Sequence, residues 1–485
     1  MKKLWIVLLS LALVAAFSLP ASAVDVKFSG SYYVAGDYYK LNDVDKGSYG
    51  GGSDWSTAFF RQRLRVQTEF VISPGLSLIT RFDALEKIWG DQNWTGARGN
   101  SFSRPAHGGS YQFPSGYTPA YWYGATAPKE QENIEFEQVY IQYMSKVGMW
   151  WIGYAPHDFW GTSFGDTSQT QALIQWILPL NQNWIIGAKY FKTYEGSSSL
   201  FNTTNRGIDS DDDAYVGIGM YKDENLEAGL KVAYRRIANF RDGWLFGVQN
   251  HPNAIPPGKI DGWLLTPYFT GQFGPVKVQS ELEYWYGEIE FEVPGPRDAD
   301  MRMLAFYLDG KVDLGPAYVG GRFVYASGDD PNTNKIEGSN FAPFWEACWG
   351  GTDPRFTLLL WNDDVTNWAG DVSGYGLGPG IKNAFFYQVY GGYKWGDFDF
   401  FASIAYAKAD EKLTERGDYW QQKDKDYGWE FDVTATYSIT NNLKYMVGFG
   451  YLKAGDFFKE KGKSGEKYEY VDDAYLLTNK LTLTF

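Results

Sequence analysis

Cysteine and histidine are nearly missing from this chain of 485 residues, which contains one Cys and three His. Cys348 has no partner for an internal disulfide, and no CxxC, CxxCH or zinc-type spacing occurs. His107, His157 and His251 all fall in or beside predicted loops next to Pro or Gly, where solvated side chains are the usual finding. The sequence therefore predicts no bound haem, no structural zinc and no catalytic residue.

Basic charge is also in short supply. The chain has 44 Lys and Arg against 58 Asp and Glu, a net charge of −14, and no cluster resembles a basic binding patch. A polyanion such as nucleic acid is bound through an excess of positive charge. We therefore expect no nucleic-acid partner.

Long apolar runs are missing after the first residues. Lys2 and Lys3 precede an apolar run over 4–17, and Ala21-Ser22-Ala23 offers a small-residue cleavage site. A transmembrane anchor is the alternative, but the run is shorter than the ~20 residues that a spanning helix needs. We expect a signal peptide over 1–23 and a single mature domain over 24–485.

What the chain does have is alternation of period two, together with 18% aromatic residues and 55 Gly. Over Tyr427–Ile439, Tyr, Trp, Phe, Val, Ala and Ile alternate with Glu, Asp, Thr and Ser, and after Asn441-Asn442 the pattern resumes to Tyr451. Such alternation predicts strands with one apolar and one polar face. The other predicted strands are Val26–Tyr39, Phe60–Ile72, Leu76–Ile88, Ile134–Tyr143, Met149–Ala155, Gln171–Leu178, Trp184–Tyr194, Ala214–Lys222, Leu226–Arg235, Gly262–Phe273, Val276–Tyr286, Met301–Asp313, Ala317–Ala326, Lys382–Trp395, Phe398–Ala407 and Ala474–Phe485.

The connections between these strands alternate between short and long. Short ones such as Ser73-Pro74-Gly75 and Gly315-Pro316 alternate with long polar segments such as 89–133 and 327–381. Short periplasmic turns and long extracellular loops are typical of outer-membrane barrels, and closure satisfies every backbone group in lipid. We predict an all-β transmembrane antiparallel barrel of about 18 strands, with 16 as the alternative. A soluble sandwich or propeller is the competing fold, but no blade repeat is present.

The last residues alternate up to a terminal aromatic, Phe485. This ending resembles the C-terminal assembly signal of Gram-negative outer-membrane proteins. The expected partners are therefore the lipid bilayer, lipopolysaccharide, the outer-membrane assembly machinery through Phe485, and small solutes. A homotrimer is implied by the resemblance to porins described below.

If apolar positions face lipid, the opposite parity faces the lumen. On the second strand that parity holds Arg61, Arg63, Arg65 and Glu69, and Arg81 and Asp83 extend the row on the third. An arginine stays charged and forks onto oxyanions, so such a wall favours anionic solutes. The alternative is that these arginines brace the barrel by pairing with Glu69, Asp83 and carboxylates of loops folded inward.

The same parity places charges of both signs inside the barrel. They include Arg235 and Arg322 as further pore-lining candidates, together with Lys231, Lys277, Lys311, Lys444, Glu281, Glu283, Asp309, Asp313, Asp399, Glu430 and Asp432. The narrowest ring sets selectivity. Our candidates for the constriction loop are 156–170, with Asp158 and Asp166, and the aromatic-rich 327–381.

The sequence resembles the Gram-negative porin class and, within it, the alginate-export-type barrels. The matching residues are Arg61-Gln62-Arg63-Leu64-Arg65, Thr80-Arg81-Phe82 and the loop that opens at Tyr325 with Gly328-Asp329-Asp330-Pro331-Asn332. The resemblance implies about 18 strands and, in the founding members, a basic pore for an acidic polysaccharide. The mixed sign of the predicted lumen departs from that pattern.

Two acidic loop runs are calcium candidates because they offer oxygen ligands. Neither has the spacing of an EF-hand, and a solvated acidic loop is the alternative for both. No other metal or cofactor is expected. The runs are Asp209, Asp211, Asp212 and Asp213, and Asp329, Asp330, Asn332, Asn334 and Glu337.

The function that these observations favour is a passive outer-membrane channel for small hydrophilic solutes, with anionic or acidic solutes as a candidate class. Export of an acidic polysaccharide is one alternative. A barrel sheath for an electron-transfer cytochrome is another, suggested by lumen-facing Gly448 and Gly450. A barrel enzyme would need a histidine beside a carboxylate or serine at the rim, and the three histidines do not suggest one.

Overall fold

The structure is a computed structural model. It describes residues 24–44, 53–89, 134–157, 160–165, 170–195, 211–238, 258–291, 298–330, 332–338, 355–362, 364–365, 380–412, 420–422, 424–462, 467–469, 471 and 473–485. The predicted signal peptide over 1–23 lies outside these residues. So do Asp158, Asp166, His107, His251 and Cys348.

Eighteen long antiparallel strands form one closed sheet, as the alternation predicts. They are β1 Asp25–Val44, β2 Ser53–Ser73, β3 Leu76–Ile88, β4 Ile134–Ser145, β5 Gly148–Pro156, β6 Thr170–Pro179, β7 Trp184–Tyr194, β8 Asp212–Lys222, β9 Leu226–Ile237, β10 Gly258–Phe273, β11 Val276–Phe291, β12 Ala299–Leu314, β13 Ala317–Ala326, β14 Ala384–Trp395, β15 Phe398–Lys408, β16 Asp426–Ser438, β17 Leu443–Ala454 and β18 Asp473–Thr484. Each strand pairs with its neighbours in chain order, and β18 returns to β1.

The first and last strands close the barrel. Ser31 lies opposite Thr484 and Leu41 opposite Ala474, and the register between them runs without a shift. The Gly30 N–H donates to the Phe485 carbonyl at 2.9 Å, and the Phe485 N–H donates to the Gly30 carbonyl at 3.0 Å. No edge of the barrel sheet is therefore left open to lipid.

The two ends of the barrel differ. At one end the strands are joined by tight turns, and Gly75, Gly274, Gly315 and Gly396 occupy these turns with φ between 56° and 81°. That backbone region suits glycine because it has no Cβ. Val24 and Phe485 lie at this end, since Asp25 pairs with Val71 just before the first turn. The architecture thus matches the predicted short-turn, long-loop asymmetry.

The outer surface of the barrel is apolar. Phe28, Phe136 and Val389 expose more than half of their surface. At the short-turn end Phe398 stacks on Trp395 and Tyr437, with ring centroids 6.1 and 4.7 Å apart. Aromatic residues at this level form the girdle where a barrel meets the headgroups. This apolar surface contacts the lipid of the bilayer. A closed β-barrel with such a surface is an outer-membrane protein, as the sequence predicts.

Several short elements lie within the predicted loops. Lys335–Ile336 adds a parallel pair to β12, and Trp420–Gln422, Lys459–Gly462 and Lys467–Glu469 form a separate small sheet next to a 3-10 turn at Asp456–Phe458. No helix in the described part of the chain is long and apolar enough to cross a membrane.

Candidate functional site

Two connections fold into the barrel. We call His157 with 160–165, between β5 and β6, segment A, and 355–362 with 364–365, between β13 and β14, segment B. They belong to the two connections that the sequence suggested as constriction loops.

Segment A is docked on β10 and β11. The Trp160 indole N–H donates to the Thr266 carbonyl at 3.0 Å, and its ring packs edge-on against Tyr268 at 5.0 Å. One carboxylate oxygen of Glu281 accepts both the backbone N–H and the hydroxyl of Thr162, each at 2.7 Å. These buried contacts hold the segment against the wall.

Segment B is docked on β14 by the Gln388 amide, which donates to the Arg355 carbonyl at 3.1 Å, and on β16 by the Glu430 carboxylate. Glu430 accepts the backbone N–H groups of Leu358, Leu359 and Leu360 at 2.7, 2.7 and 2.9 Å. A carboxylate that accepts several buried amides is a strong anchor, because each amide would otherwise lose its hydrogen bond to water. The Trp361 ring then packs against Phe386 and Tyr427.

An aromatic bridge joins the two segments. Phe164 of segment A stacks on Tyr307 of β12, with centroids 5.2 Å apart and planes 9° apart, and Phe356 of segment B packs on the same tyrosine at 5.7 Å. The segments and the bridge occupy the interior beside β10 to β17.

Two predicted pore-lining arginines, Arg235 on β9 and Arg322 on β13, are buried. Arg235 donates from Nε to Asp212 at 2.7 Å and is only 4% exposed. Arg322 pairs with Asp309 at 2.7 Å and lies between the rings of Phe356 and Tyr390. Parity could not show that Phe356 of segment B covers Arg322. The buried acidic residues of β11, β12 and β16 are Glu281, Glu283, Asp309, Glu430 and Asp432.

The opposite wall, formed by β18 and β1 to β4, stays accessible. The side chains of Arg63 and Arg65 are each 27% exposed, and that of Lys480 is 26% exposed. Lys480 and Arg61 lie in one row, because both are register partners of Ala35 on β1. We call Arg61, Arg63, Arg65, Arg81 and Lys480 the basic wall.

Arg61 is the most buried member of the basic wall. Its Nε donates to Asp37 at 2.7 Å, and its NH1 and NH2 donate to Asp364 of segment B at 2.6 and 3.2 Å. Lys480 donates to the same Asp364 carboxylate at 2.8 Å. Desolvation inside the barrel acts to raise the pKa of Asp364, but Lys480 and Arg61 outweigh it and hold that pKa below the usual carboxyl range.

Arg65 and Arg81 meet a second acidic group. Arg65 forks onto Asp83 with two bonds of 2.7 Å, and it also donates to Glu137 at 2.8 Å. Arg81 donates to the same Glu137 oxygen at 2.7 Å. Arg65 thus pairs with Asp83, as the bracing alternative expected. That alternative also expected a carboxylate from a loop folded inward, and Asp364, which pairs with Arg61, is such a carboxylate.

Glu137 reaches the lumen through a β-bulge. Arg81 lies opposite Gln138 and the next residue, Phe82, opposite Phe136, so Glu137 is the extra residue on β4. Phe136 and Val139 both face outward, three positions apart, which shows that the parity changes between them. Alternation counted from Phe136 places Glu137 inside, whereas alternation counted from Val139 places it outside, so the pattern alone does not decide its face.

A second register shift brings Glu86 next to Arg63. The β2–β3 register shifts between Gln62 and Leu64, opposite Leu85, whose φ of 50° lies in the left-handed region that leucine seldom adopts. Glu86 then lies 3.7 Å from Arg63. Oxygens of Asp83, Glu86 and Glu137 come within 4.8 Å of one another, a spacing that a metal could use, but Arg63 and Arg65 already lie against them.

Other predicted residues have different surroundings. Glu69 lies near the short-turn end, where it binds Lys27 at 3.2 Å and Ser77 at 2.9 Å, and not the arginines as the bracing alternative expected. His157 was predicted to be solvated, but it is 8% exposed and packs on Phe191 at 4.0 Å. The connection between β5 and β6 folds inward and buries it.

The calcium candidates hold their carboxylates in local contacts. Asp211 and Asp213 bind Lys192 at 2.7 and 3.4 Å, and Asp212 binds Arg235. Asp329 accepts the Glu337 N–H at 2.9 Å. Asp330 accepts the N–H of Asn332 at 2.9 Å. Calcium binding stays a prediction.

Comparisons with known proteins give structural neighbours only. No protein-family model matches the chain, and no curated protein matches it. Among solved structures, OccK8 (OprE) of Pseudomonas aeruginosa has a TM-score of 0.46 at 11% identity, covering 95% of this chain and 98% of that one. The outer membrane protein opdK of the same organism gives 0.45 at 10%, covering 95% and 99%. An anion-selective porin from Comamonas acidovorans gives 0.42 at 10%, also covering 95% and 99%. By its own strand order, closure and short turns, the chain has the fold of the Gram-negative outer-membrane porins.

Proposed function

We propose that this protein is a passive channel for small hydrophilic solutes with a preference for anions, and that the basic wall sets this preference. The observation that carries the proposal is the difference in exposure between the two sides of the lumen. Arg63, Arg65 and Lys480 keep about a quarter of their side chains accessible, whereas Arg235 and Arg322 are covered. Solutes in transit therefore meet the basic wall.

The balance of accessible charge along the basic wall favours anions by a small margin. Among the described residues of this wall and the carboxylates that pair with it, three cations that are about a quarter exposed, Arg63, Arg65 and Lys480, stand against two carboxylates, Glu137 at 23% and Asp364 at 42% exposure. Asp37 and Asp83 are almost fully buried by their arginine partners. A narrow aqueous passage with one surplus cation attracts anions, but only moderately.

The two alternatives gain less from this geometry. A sheath for a cytochrome needs an interior wide enough for a folded protein, and segments A and B occupy that space. An exporter of an acidic polysaccharide would gain from a continuous basic surface. Each arginine of the basic wall instead has a carboxylate within 4.0 Å, which interrupts such a surface.

The test is a planar-bilayer recording of the purified protein across a tenfold KCl gradient. We expect an anion-selective reversal potential that moves toward zero in the double variant Arg63→Gln/Arg65→Gln. The matched control, Lys277→Gln/Lys311→Gln, removes two cations near the short-turn end, where both bind Asp313, and should keep the wild-type potential. Absence of conductance, or cation selectivity, would contradict the proposal.

Three expected partners accompany this function. We propose that Phe485, which is 51% exposed at the short-turn end, is the residue that the assembly machinery reads. We also propose contact with lipopolysaccharide around the long loops and assembly into a homotrimer. Phe485→Ala should lower the yield of folded barrel in the outer membrane, and crosslinking in native membranes tests the trimer.

A further inference from the structure

One carboxylate in the lumen, that of Asp364, is held by three donors from the barrel wall. Arg61 supplies two donors to it and Lys480 supplies a third, at 2.6, 3.2 and 2.8 Å. The Tyr33 ring lies beside both cations, with Lys480 Nζ 4.3 Å and Arg61 Cζ 5.7 Å from its centroid. We call the position bounded by Arg61, Lys480 and Tyr33 the carboxylate seat.

The three residues that bound the carboxylate seat, Tyr33, Arg61 and Lys480, all come from strands of the barrel wall. Asp37 fixes the Nε edge of Arg61 at 2.7 Å, and the Thr478 hydroxyl in turn donates to Asp37 at 2.6 Å. Asp37 of β1 and Thr478 of β18 thus orient the Arg61 guanidinium from the wall. The terminal NH1 and NH2 groups of Arg61 are therefore held toward the lumen in the fork that suits a planar carboxylate.

Asp364 differs from the wall in how it is held. It comes from segment B and not from a strand, and 42% of its side chain is exposed, far more than of Arg61 or Asp37. A carboxylate entering the lumen can thus approach the position of Asp364, while both cations stay in place behind it.

We propose that the carboxylate seat is a binding site for the carboxylate group of solutes, and that Asp364 is a built-in competitor that occupies it in the absence of solute. Asp364 lowers the affinity of the seat for solutes because each solute must displace it. This inference rests on the proposed channel function and extends it, since it assigns a regulating residue to the passage.

The test uses acetate as the probe in single-channel recordings of Asp364→Ala. In this variant the carboxylate seat lacks its occupant, so millimolar acetate should produce brief current blockades that equimolar chloride does not. Wild type should need at least about tenfold more acetate for the same blockade, because a charge-assisted bond is worth that factor or more. The anion-to-cation permeability ratio should also rise in the variant.

The matched control is Asp313→Ala. Asp313 binds two lysines, Lys277 and Lys311, and has the same 42% exposure, but it lies near the short-turn end. It should gain no acetate blockade. Adding Lys480→Gln to Asp364→Ala should weaken the blockade about tenfold or more, because one of the charged donors is gone.

The outcomes separate the inference from the channel proposal. Acetate blockade that is equal in wild type and Asp364→Ala, or absent from a conducting Asp364→Ala, overturns the inference and leaves the anion channel standing. If Asp364→Ala fails to fold, Asp364→Asn keeps the shape of the side chain, and its acetate response decides in the same way. A wild-type protein without conductance contradicts the channel itself.

Discussion

Phe164 and Tyr307 lie face to face, with centroids 5.2 Å apart and ring planes 9° apart. Phe356 packs on the same tyrosine from segment B, so one ring of the wall receives both inward segments. Offset-stacked aromatic rings contribute about 1 kcal/mol beyond the area that they bury. Weakening the anchor of either segment should therefore disturb the other.

Glu430→Ala should release segment B from β16. Three buried backbone N–H groups lose their acceptor, which costs on the order of 3 kcal/mol or more. We expect a larger single-channel conductance and new protease cleavage within 355–365. Glu430→Gln keeps one acceptor oxygen and should show a smaller effect. Equal conductance in all three proteins would mean that segment B does not limit the passage.

Gly161→Ala should displace segment A. Gly161 has a φ of 77°, and a Cβ at this position would lie 2.3 Å from a Glu281 carboxylate oxygen, so the new methyl group meets both backbone strain and a buried side chain. We expect higher conductance and greater current noise. Gly217→Ala is the control, because its Cβ would meet nothing within 4 Å. A quiet, wild-type trace from Gly161→Ala would count against docking through Glu281.

The effect of Asp364 on the reversal potential should not change with pH across the neutral range. Its pKa lies below the ordinary carboxyl value, so the ion pairs with Lys480 and Arg61 are fully present above the ordinary value of about 3.9 and are lost only as pH falls through the lowered pKa. We expect the difference in reversal potential between wild type and Asp364→Asn to stay constant from about pH 8 to about pH 5. A titration of that difference within this range would contradict the prediction.

The fold could be predicted from the sequence because, in a sheet that faces lipid on one side, every second residue of each strand is apolar. The predicted Leu76–Ile88, Trp184–Tyr194 and Ala317–Ala326 match β3, β7 and β13 residue for residue. Alternation also placed Arg61, Arg63, Arg65 and Arg81 inside the barrel. On β4 it gives no single answer, because one inserted residue, Glu137, reverses which face the following side chains take.

The partners of the basic wall were harder to predict, since they depend on contacts between distant parts of the chain. Asp364 lies 303 residues from Arg61 in sequence and comes from a connection with no periodic pattern. Likewise, nothing local to Arg322 indicates that Phe356 covers it. Parity tells which face a side chain takes, but not which loop covers that face.

The closure of the barrel between β1 and β18 sets an order on how the molecule can form. The Asn479 side-chain amide donates to the Gly36 carbonyl across 443 residues of sequence, and the Phe485 main chain bonds to Gly30. Until β18 arrives, β1 is a sheet edge whose amides and carbonyls have no partner within lipid, so it cannot remain in the bilayer alone. Joining residues so distant in sequence costs chain entropy, and this entropy is lost before the hydrogen bonds between β1 and β18 form. Pairing of β1 with β18 is therefore the late, slow event of folding. Insertion and closure should therefore occur together, as a single concerted step for all 18 strands.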